Sequence, residues 1–228
     1  MRSRSAETGQ GLPVPVVLHV AHSVLQALSY AHTLADEGGA PLGLVHRDVS
    51  ANNVLVSVRG DVKLLDFGIV KAAGRRHETQ AGMVKGNVNC MSPEQARGTR
   101  VDARSDLFSL AMTLFRSATG EALYGEGGTY ELLVRAANGP TEMDIARVRA
   151  LPGGLGPVLE RALSIEPEKR FPSAAEFAAA LPPDPADAAA ETARLMERHF
   201  GELLAAEVGR LNSTNPILAA TPAAAPAT

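Results

Sequence analysis

The sequence contains no tryptophan and only one cysteine, Cys90, among its 228 residues. A single cysteine excludes an internal disulfide and is typical of a reducing compartment, so we expect a cytoplasmic protein. Lysine and arginine (22) nearly balance aspartate and glutamate (25), so no basic excess points to a nucleic-acid partner. Uninterrupted apolar runs fall short of the roughly 18 residues of a membrane span, so no membrane partner is predicted.

Aromatic residues are also scarce, at 4% of the chain, whereas 45% of the residues are hydrophobic. A folded domain of this composition needs a core of leucine, valine and alanine. Apolar residues recur at helical spacing from Pro15 to His32 and from Leu107 to Phe115, and two short β-rich runs flank a turn at 58–60. The pattern predicts a mainly α fold with one small β-hairpin and shorter helices near 128–137, 155–164 and 173–181.

Two motifs carry the chemistry of this sequence. One is the run His46-Arg47-Asp48-Val49-Ser50-Ala51-Asn52-Asn53, and the other is Asp66-Phe67-Gly68. Asp48 precedes Asn53 by five positions and Asp66 by eighteen, with the predicted hairpin in between. These motifs, in this order, resemble the catalytic loop and the metal-binding motif of protein kinases.

Three further segments extend this resemblance. Met91-Ser92-Pro93-Glu94-Gln95 resembles the element that closes the kinase activation loop, in its form common among bacterial serine/threonine kinases. Residues 102–110 resemble the start of the family's central buried helix, and Arg170 stands where a family arginine pairs with the glutamate of the first segment. The chain thus resembles the bacterial-type serine/threonine protein kinases, whose C-terminal lobe is an α+β fold.

The resemblance implies ATP-dependent phosphoryl transfer to serine or threonine hydroxyls of a protein substrate. Asp48 is expected to orient the substrate hydroxyl and accept its proton. Asn53 and Asp66 are expected to hold Mg²⁺ through oxygen atoms, the ligands that this cation prefers. Leu55 is expected to lie under the adenine of ATP.

Other motif residues are expected to be structural. By resemblance, Asp106 accepts hydrogen bonds from the backbone at His46 and Arg47 and so fixes the catalytic loop. Glu94 and Arg170 are expected to form a buried ion pair.

A long segment without periodicity, 69–92, is expected to be the activation loop. It follows Phe67 and Gly68, which complete the metal-binding motif. Thr79 is its only serine or threonine between Gly68 and Ser92, so we predict that Thr79 is phosphorylated and that Arg47 receives the phosphate.

The sequence departs from the family at several positions. Ser50 replaces the lysine usual two residues after the catalytic aspartate, Asn87 replaces a threonine, and Cys90 replaces a tyrosine. No lysine precedes Lys63, and no G-x-G-x-x-G occurs, although the family carries both in its N-terminal lobe. We therefore expect the chain to represent the C-terminal lobe without the N-terminal one.

Two alternatives follow from these departures. One is a catalytically inactive, one-lobed pseudokinase that acts as a binding module, self-associating or docking a partner on the surface that would face the N-terminal lobe. The other is a small-molecule phosphotransferase of kinase-like fold, which Ser92-Pro93-Glu94 and the long loop disfavour.

The resemblance and the composition together divide the chain into five parts. The polar N-terminus does not have the apolar core of a signal peptide. The expected parts are a loop or disordered N-terminus (1–12), the kinase C-terminal lobe (13–181), a Pro-rich linker (182–187), an amphipathic helix (188–211) and a disordered Ala/Pro-rich tail (212–228).

Overall fold

The fold is known from a computed structural model, which describes residues 11–66 and 87–214. It is mainly α-helical with one two-stranded antiparallel sheet, which confirms the predicted fold class. The strands are β1 (Val54–Val56) and β2 (Val62–Leu64), and the helices are α1 (Val14–Thr33), α2 (Pro93–Ala96), α3 (Ala103–Thr119), α4 (Thr129–Asn138), α5 (Glu142–Arg149), α6 (Leu155–Ala162), α7 (Ala174–Ala180) and α8 (Ala188–Thr214). Short 3₁₀ turns lie at Ala51–Asn53, Val88–Cys90 and Pro167–Lys169.

The core forms around α1 and α3, which pack against each other. The apolar residues of α1 that recur at helical spacing are buried, and Val17, Val24 and Leu28 are fully enclosed. In α3 the Asp102 side chain caps the first turn by accepting from Arg104 N, and Gly120 ends the helix at φ 79°. Each buried leucine contributes about 1.5–3 kcal/mol, so these two helices supply a large part of the stability of the lobe.

By length and composition α1 also qualifies as a membrane span. The helix is not an uninterrupted apolar run, because polar residues such as His19, His22 and Gln26 lie within it. Its apolar side packs against α3, α7, α8 and β2. This packing accounts for the hydrophobicity of the helix.

The hairpin has the predicted position, with Val54 opposite Leu64 and Val56 opposite Val62. Its turn is closed by the Ser57 hydroxyl, which accepts from the backbone N–H groups of Arg59 and Asp61. Since β2 packs against α1, the hairpin is fixed to the core.

The segment after α7 is bound to α1 as well. The His22 ring donates from Nε2 to Pro182 O (2.8 Å), and His19 joins Asp184 Oδ2 through Nδ1 and Gly60 O through Nε2, both at 3.0 Å. The predicted linker is therefore hydrogen-bonded to the lobe through Pro182 and Asp184, and α8 begins directly after it, at Ala188.

Leu12, predicted to lie in a loop or disordered end, lies in a loop that is anchored to the lobe. Its N–H donates to Ser117 O (2.7 Å), and its side chain packs against the core. Helix α8 continues to Thr214, three residues beyond the predicted boundary at 211. The rest of the two predicted disordered segments, 1–10 and 215–228, lies outside the described residues.

Candidate active site

The loop that carries Asp48 is held from below by a buried carboxylate. Asp106, fully buried in α3, accepts from His46 N through Oδ2 and from Arg47 N through Oδ1, both at 2.8 Å. These are the hydrogen bonds that the resemblance implies. The His32 ring, in the last turn of α1, donates from Nε2 to Asp106 Oδ2 at 2.8 Å. Charge-assisted hydrogen bonds of this kind compensate the burial of the carboxylate and fix the loop backbone to two core helices.

Two residues at the site have left-handed backbone conformations. Arg47 (φ 67°) and Asp66 (φ 55°) are the only non-glycine residues with positive φ in the described parts of the chain. Such conformations cost of order 1–3 kcal/mol and persist only where the surroundings enforce them. Their position, one beside Asp48 and one at a proposed metal ligand, places the strained backbone of the lobe at the candidate site.

The hairpin brings the predicted metal ligands to one place. Asn53 directly precedes β1, and its carbonyl accepts a hydrogen bond from Leu65 N (2.8 Å). Asp66 is the residue after Leu65, so its backbone lies next to that of Asn53. The Asn53 amide donates from Nδ2 to Asp48 O at 2.7 Å, which leaves Oδ1 free to bind a cation. Asp66 is exposed, and its carboxylate has no hydrogen-bond partner within the described residues. An amide and a carboxylate oxygen fit Mg²⁺, which fills its other positions with water and phosphate oxygens.

His46 connects the loop to the end of the hairpin. Its Nε2 donates to Leu65 O (2.8 Å), and its Nδ1 accepts from Asp48 N (3.3 Å). Both contacts are satisfied by the neutral ring with the proton on Nε2. The imidazole therefore ties the backbone of Asp48 to the residue that precedes Asp66.

Of the residues that depart from the family pattern, Asn87 contacts Asp48, whereas Ser50 and Cys90 are buried. The Asn87 backbone N–H points to Asp48 Oδ1 (3.5 Å), while its side chain caps the following 3₁₀ turn by accepting from Asn89 N. Ser50 is 1% exposed, and its hydroxyl has no partner among the described residues. The side chain at the position of the family's lysine is thus enclosed by protein. Burial also raises the pKa of the Cys90 thiol to about 11, so this side chain remains a neutral thiol.

The Glu94–Arg170 pair is buried and bidentate. Arg170 donates to Glu94 Oε1 at 2.6 Å and to Oε2 at 2.8 Å, and Ser105 Oγ donates to Oε1 at 2.6 Å. Burial by itself raises the pKa of Glu94, but the hydrogen bonds from Arg170 and Ser105 and the charge of Arg170 outweigh it and hold the pKa below the ordinary value. The pair joins α2 to the segment after α6.

The remaining predicted residues are only partly described. Leu55, which is expected to lie under adenine, is 51% exposed on β1, and Arg47 is also exposed. Phe67, Gly68 and Thr79 lie outside the described residues, and so does most of the predicted activation loop.

Sequence reasoning missed two residues that support the loop, His32 and Gln95. Gln95 donates from Nε2 to Arg47 O at 2.8 Å. Neither contact has a local sequence signal, since Gln95 lies 48 positions from Arg47 and His32 lies 74 positions from Asp106.

Comparison with known proteins agrees with this geometry. The family model "Protein kinase domain" matches residues 5–180. The chain is 39% identical over 170 residues to the tyrosine-protein kinase MasK of Myxococcus xanthus (75% of this chain, 26% of that protein). It is 34% identical over 166 residues to the serine/threonine-protein kinase PknB of Mycobacterium tuberculosis (72% and 25%), and 38% identical over 165 residues to the serine/threonine-protein kinase PksC of Streptomyces coelicolor (72% and 28%).

The chain therefore spans about a quarter of the length of these curated relatives. Because the family model matches more than half of the chain, and the match includes the loop of Asp48, the hairpin and the Glu94–Arg170 pair, the chain belongs to the protein kinase domain family.

Proposed function

We propose that the protein is a kinase that transfers a phosphoryl group from ATP, with Mg²⁺, to serine or threonine hydroxyls of a protein substrate. The observation that carries the proposal is that Asp48 and Asn53 lie on one loop, whose backbone is fixed by Asp106, while the hairpin returns the chain to Asn53 just before Asp66. Phosphoryl transfer depends mainly on positioning and on charge stabilisation, and a rigid loop with free oxygen ligands supports both.

Each residue has a role that its contacts allow. The Asp48 carboxylate is met only by the long contact from Asn87 N within the described residues, so it is free to accept a proton from a substrate hydroxyl. Asn53 Oδ1 and the Asp66 carboxylate would hold Mg²⁺. When bound, Mg²⁺ and ATP supply the charge neutralisation and the group that is transferred. Asp106 and His46 act on none of the reacting atoms, and they hold the backbone of the loop.

The test is a phosphotransfer assay on the full-length protein with labelled ATP and a protein substrate. Asp48→Asn and Asp66→Asn should each lower kcat at least about 100-fold, the typical contribution of a positioned base or metal ligand. Asp187→Asn makes the same chemical change at an exposed position outside the site and should keep activity within about twofold of the parent. Parent-like activity of Asp48→Asn would refute the assignment.

The hydroxyl specificity is the finer part of the proposal. The relatives PknB and PksC and the Ser92-Pro93-Glu94-Gln95 segment support serine/threonine specificity. The buried Ser50 and the relative MasK, a tyrosine kinase, favour tyrosine as the second candidate. Phosphoamino-acid analysis of the labelled product distinguishes the two candidates. For serine/threonine specificity we expect phosphoserine and phosphothreonine. A product containing phosphotyrosine alone would establish the second candidate.

A binding module without transferase activity is the other candidate. The exposed Leu55 and Leu65 (51% and 37%) favour it, because an apolar surface beside the site is suited to hold a partner or a second copy. In this case the parent and Asp48→Asn would both be inactive in the assay above.

A further inference from the structure

The backbone of Arg47 is held on both of its peptide groups. Its N–H donates to Asp106 Oδ1, and its carbonyl accepts from Gln95 Nε2, each at 2.8 Å. Between these two contacts lies a non-glycine residue at φ 67°. This conformation is unfavourable in an unconstrained chain, so the surroundings must hold it, and these two contacts are made by the peptide groups of Arg47 itself. The carbonyl held by Gln95 belongs to the peptide bond that leads into Asp48.

The Gln95 amide is itself fixed in orientation. Its Oε1 accepts from Ser92 N at 3.1 Å and from Ser92 Oγ at 3.0 Å, as part of a capping box at the start of α2. An oxygen must face the Ser92 N–H, and an N–H must face the Arg47 carbonyl, so only one orientation of the amide satisfies both sides.

Helix α2 gives Gln95 a rigid base. The preceding residue, Glu94, is bound to Arg170 and Ser105 in the buried pair described above. Gln95 is therefore anchored to the core at its backbone and to the catalytic loop at its side chain. Helix α2 begins directly after the predicted activation loop, and it contacts the loop that carries Asp48. It therefore connects these two loops.

We propose that Gln95 is a positioning residue for Asp48, acting through the Arg47 carbonyl. The bond from Gln95 Nε2 keeps Arg47 in the left-handed region, and this sets the direction of the peptide that leads into Asp48. Without it, Arg47 relaxes towards ordinary backbone conformations and the Asp48 carboxylate leaves the position that faces Asn87 N. The consequence for catalysis rests on the proposed kinase function, whereas the effect on the loop does not.

Two substitutions separate the cap from the bond to Arg47. Gln95→Glu keeps both capping contacts through a carboxylate oxygen but places an acceptor against the Arg47 carbonyl. Gln95→Ala removes the cap and the bond together. Gln26→Glu and Gln26→Ala make the same changes on the exposed side of α1 and serve as matched controls.

The first measurement is amide hydrogen exchange by NMR on the 228-residue chain. In Gln95→Glu the amides of Arg47 and Asp48 should exchange about fivefold faster than in the parent, while Ser92 N–H keeps its protection; the factor corresponds to one hydrogen bond of about 1 kcal/mol. In Gln95→Ala all three amides should exchange faster. Parent rates at Arg47 and Asp48 in Gln95→Glu would overturn the proposal, whether or not the protein is a kinase.

The second measurement is steady-state kinetics on the active, full-length protein. Gln95→Glu should lower kcat at least about fivefold and leave KM for ATP unchanged, because a misdirected Asp48 affects transfer and not nucleotide binding. The Gln26 variants should keep both constants. A Gln95→Glu protein with a loosened loop and parent kcat would refute the positioning role.

Discussion

Removal of the Arg170 side chain should destabilise the lobe far more than the loss of an ordinary ion pair. All five guanidinium N–H groups are used, two on Glu94 and one each on the carbonyls of Ser164, Ile165 and Arg104. Arg170→Met keeps the length and apolar stem of the side chain but leaves the buried Glu94 with Ser105 as its remaining side-chain donor. Breaking one partner of a buried pair costs about 3–5 kcal/mol. This is a large fraction of the free energy of unfolding of a typical domain, about 5–15 kcal/mol.

The assay is urea unfolding of the chain at pH 7, followed by the helical circular dichroism signal. Arg149→Met is the matched control, since Arg149 pairs with Glu142 and Glu160 at the surface and an exposed pair contributes at most about 1 kcal/mol. Arg170→Lys keeps the charge but has too few donors for the five contacts, so its stability should lie between those of the parent and the methionine variant. A loss below about 1 kcal/mol in Arg170→Met would refute the reasoning.

The pH dependence gives a second check. In the parent, the pKa of Glu94 lies below its ordinary value of 4.5, so its contribution to stability is present above pH 4.5 and is lost as the pH falls through the lower, folded-state pKa. In Arg170→Met the buried Glu94 has lost its cationic partner, so its pKa should be raised. The loss of stability caused by the unpaired carboxylate therefore disappears as the carboxyl is protonated. The stability difference between the two proteins should therefore shrink from pH 7 to pH 4.5, and a constant difference would contradict the ion-pair explanation.

Three other predictions concern modification, reactivity and assembly. Phosphopeptide mapping of the active, full-length protein should find phosphate on Thr79, and an unmodified Thr79 would exclude this control of activity. The Cys90 thiol, buried and with its pKa raised to about 11, should react with iodoacetamide at pH 7.5 only after unfolding in urea; rapid labelling of the folded chain would contradict its burial. The 228-residue chain alone should bind Mg-ATP weakly in calorimetry, and a micromolar dissociation constant would refute this. It should also self-associate in light scattering through the apolar surface at Leu55, and a monomer at high concentration would refute that.

The sequence predicted those parts of the fold whose burial produces a pattern. The apolar stripe of α3 from Leu107 to Phe115 predicted the helix, and the resemblance of residues 102–110 to the family's central helix indicated its start. Helix α5 was missed because Val148 is its only buried residue, and no apolar period arises from one position. Its one available signal was the capping box of Thr141 and Asp144.

The candidate site likewise contains residues that the sequence could identify and contacts that it could not. The spacing of Asp48, Asn53 and Asp66 is a local property of the chain, and a resemblance can identify it. The contacts of Gln95 with Arg47 and of His32 with Asp106 depend on tertiary packing between distant segments, which no spacing encodes. The left-handed backbone of Arg47 was equally unpredictable, because arginine has no preference for that region.

The connectivity of α1 has a consequence during synthesis on the ribosome. This helix is apolar enough to resemble a membrane span, and one of its fixed contacts, from His22 to Pro182, joins residues 160 positions apart. At a translation rate of about 5–20 residues per second, the partner segment emerges about 8–30 seconds after the helix. Throughout that interval α7 and the start of α8 are absent, and part of the apolar surface of α1 stays open to water, chaperones and other nascent chains. While it is being made, the lobe therefore exposes apolar surface that the finished fold covers, and slower translation of the segment between α1 and α7 lengthens that exposure.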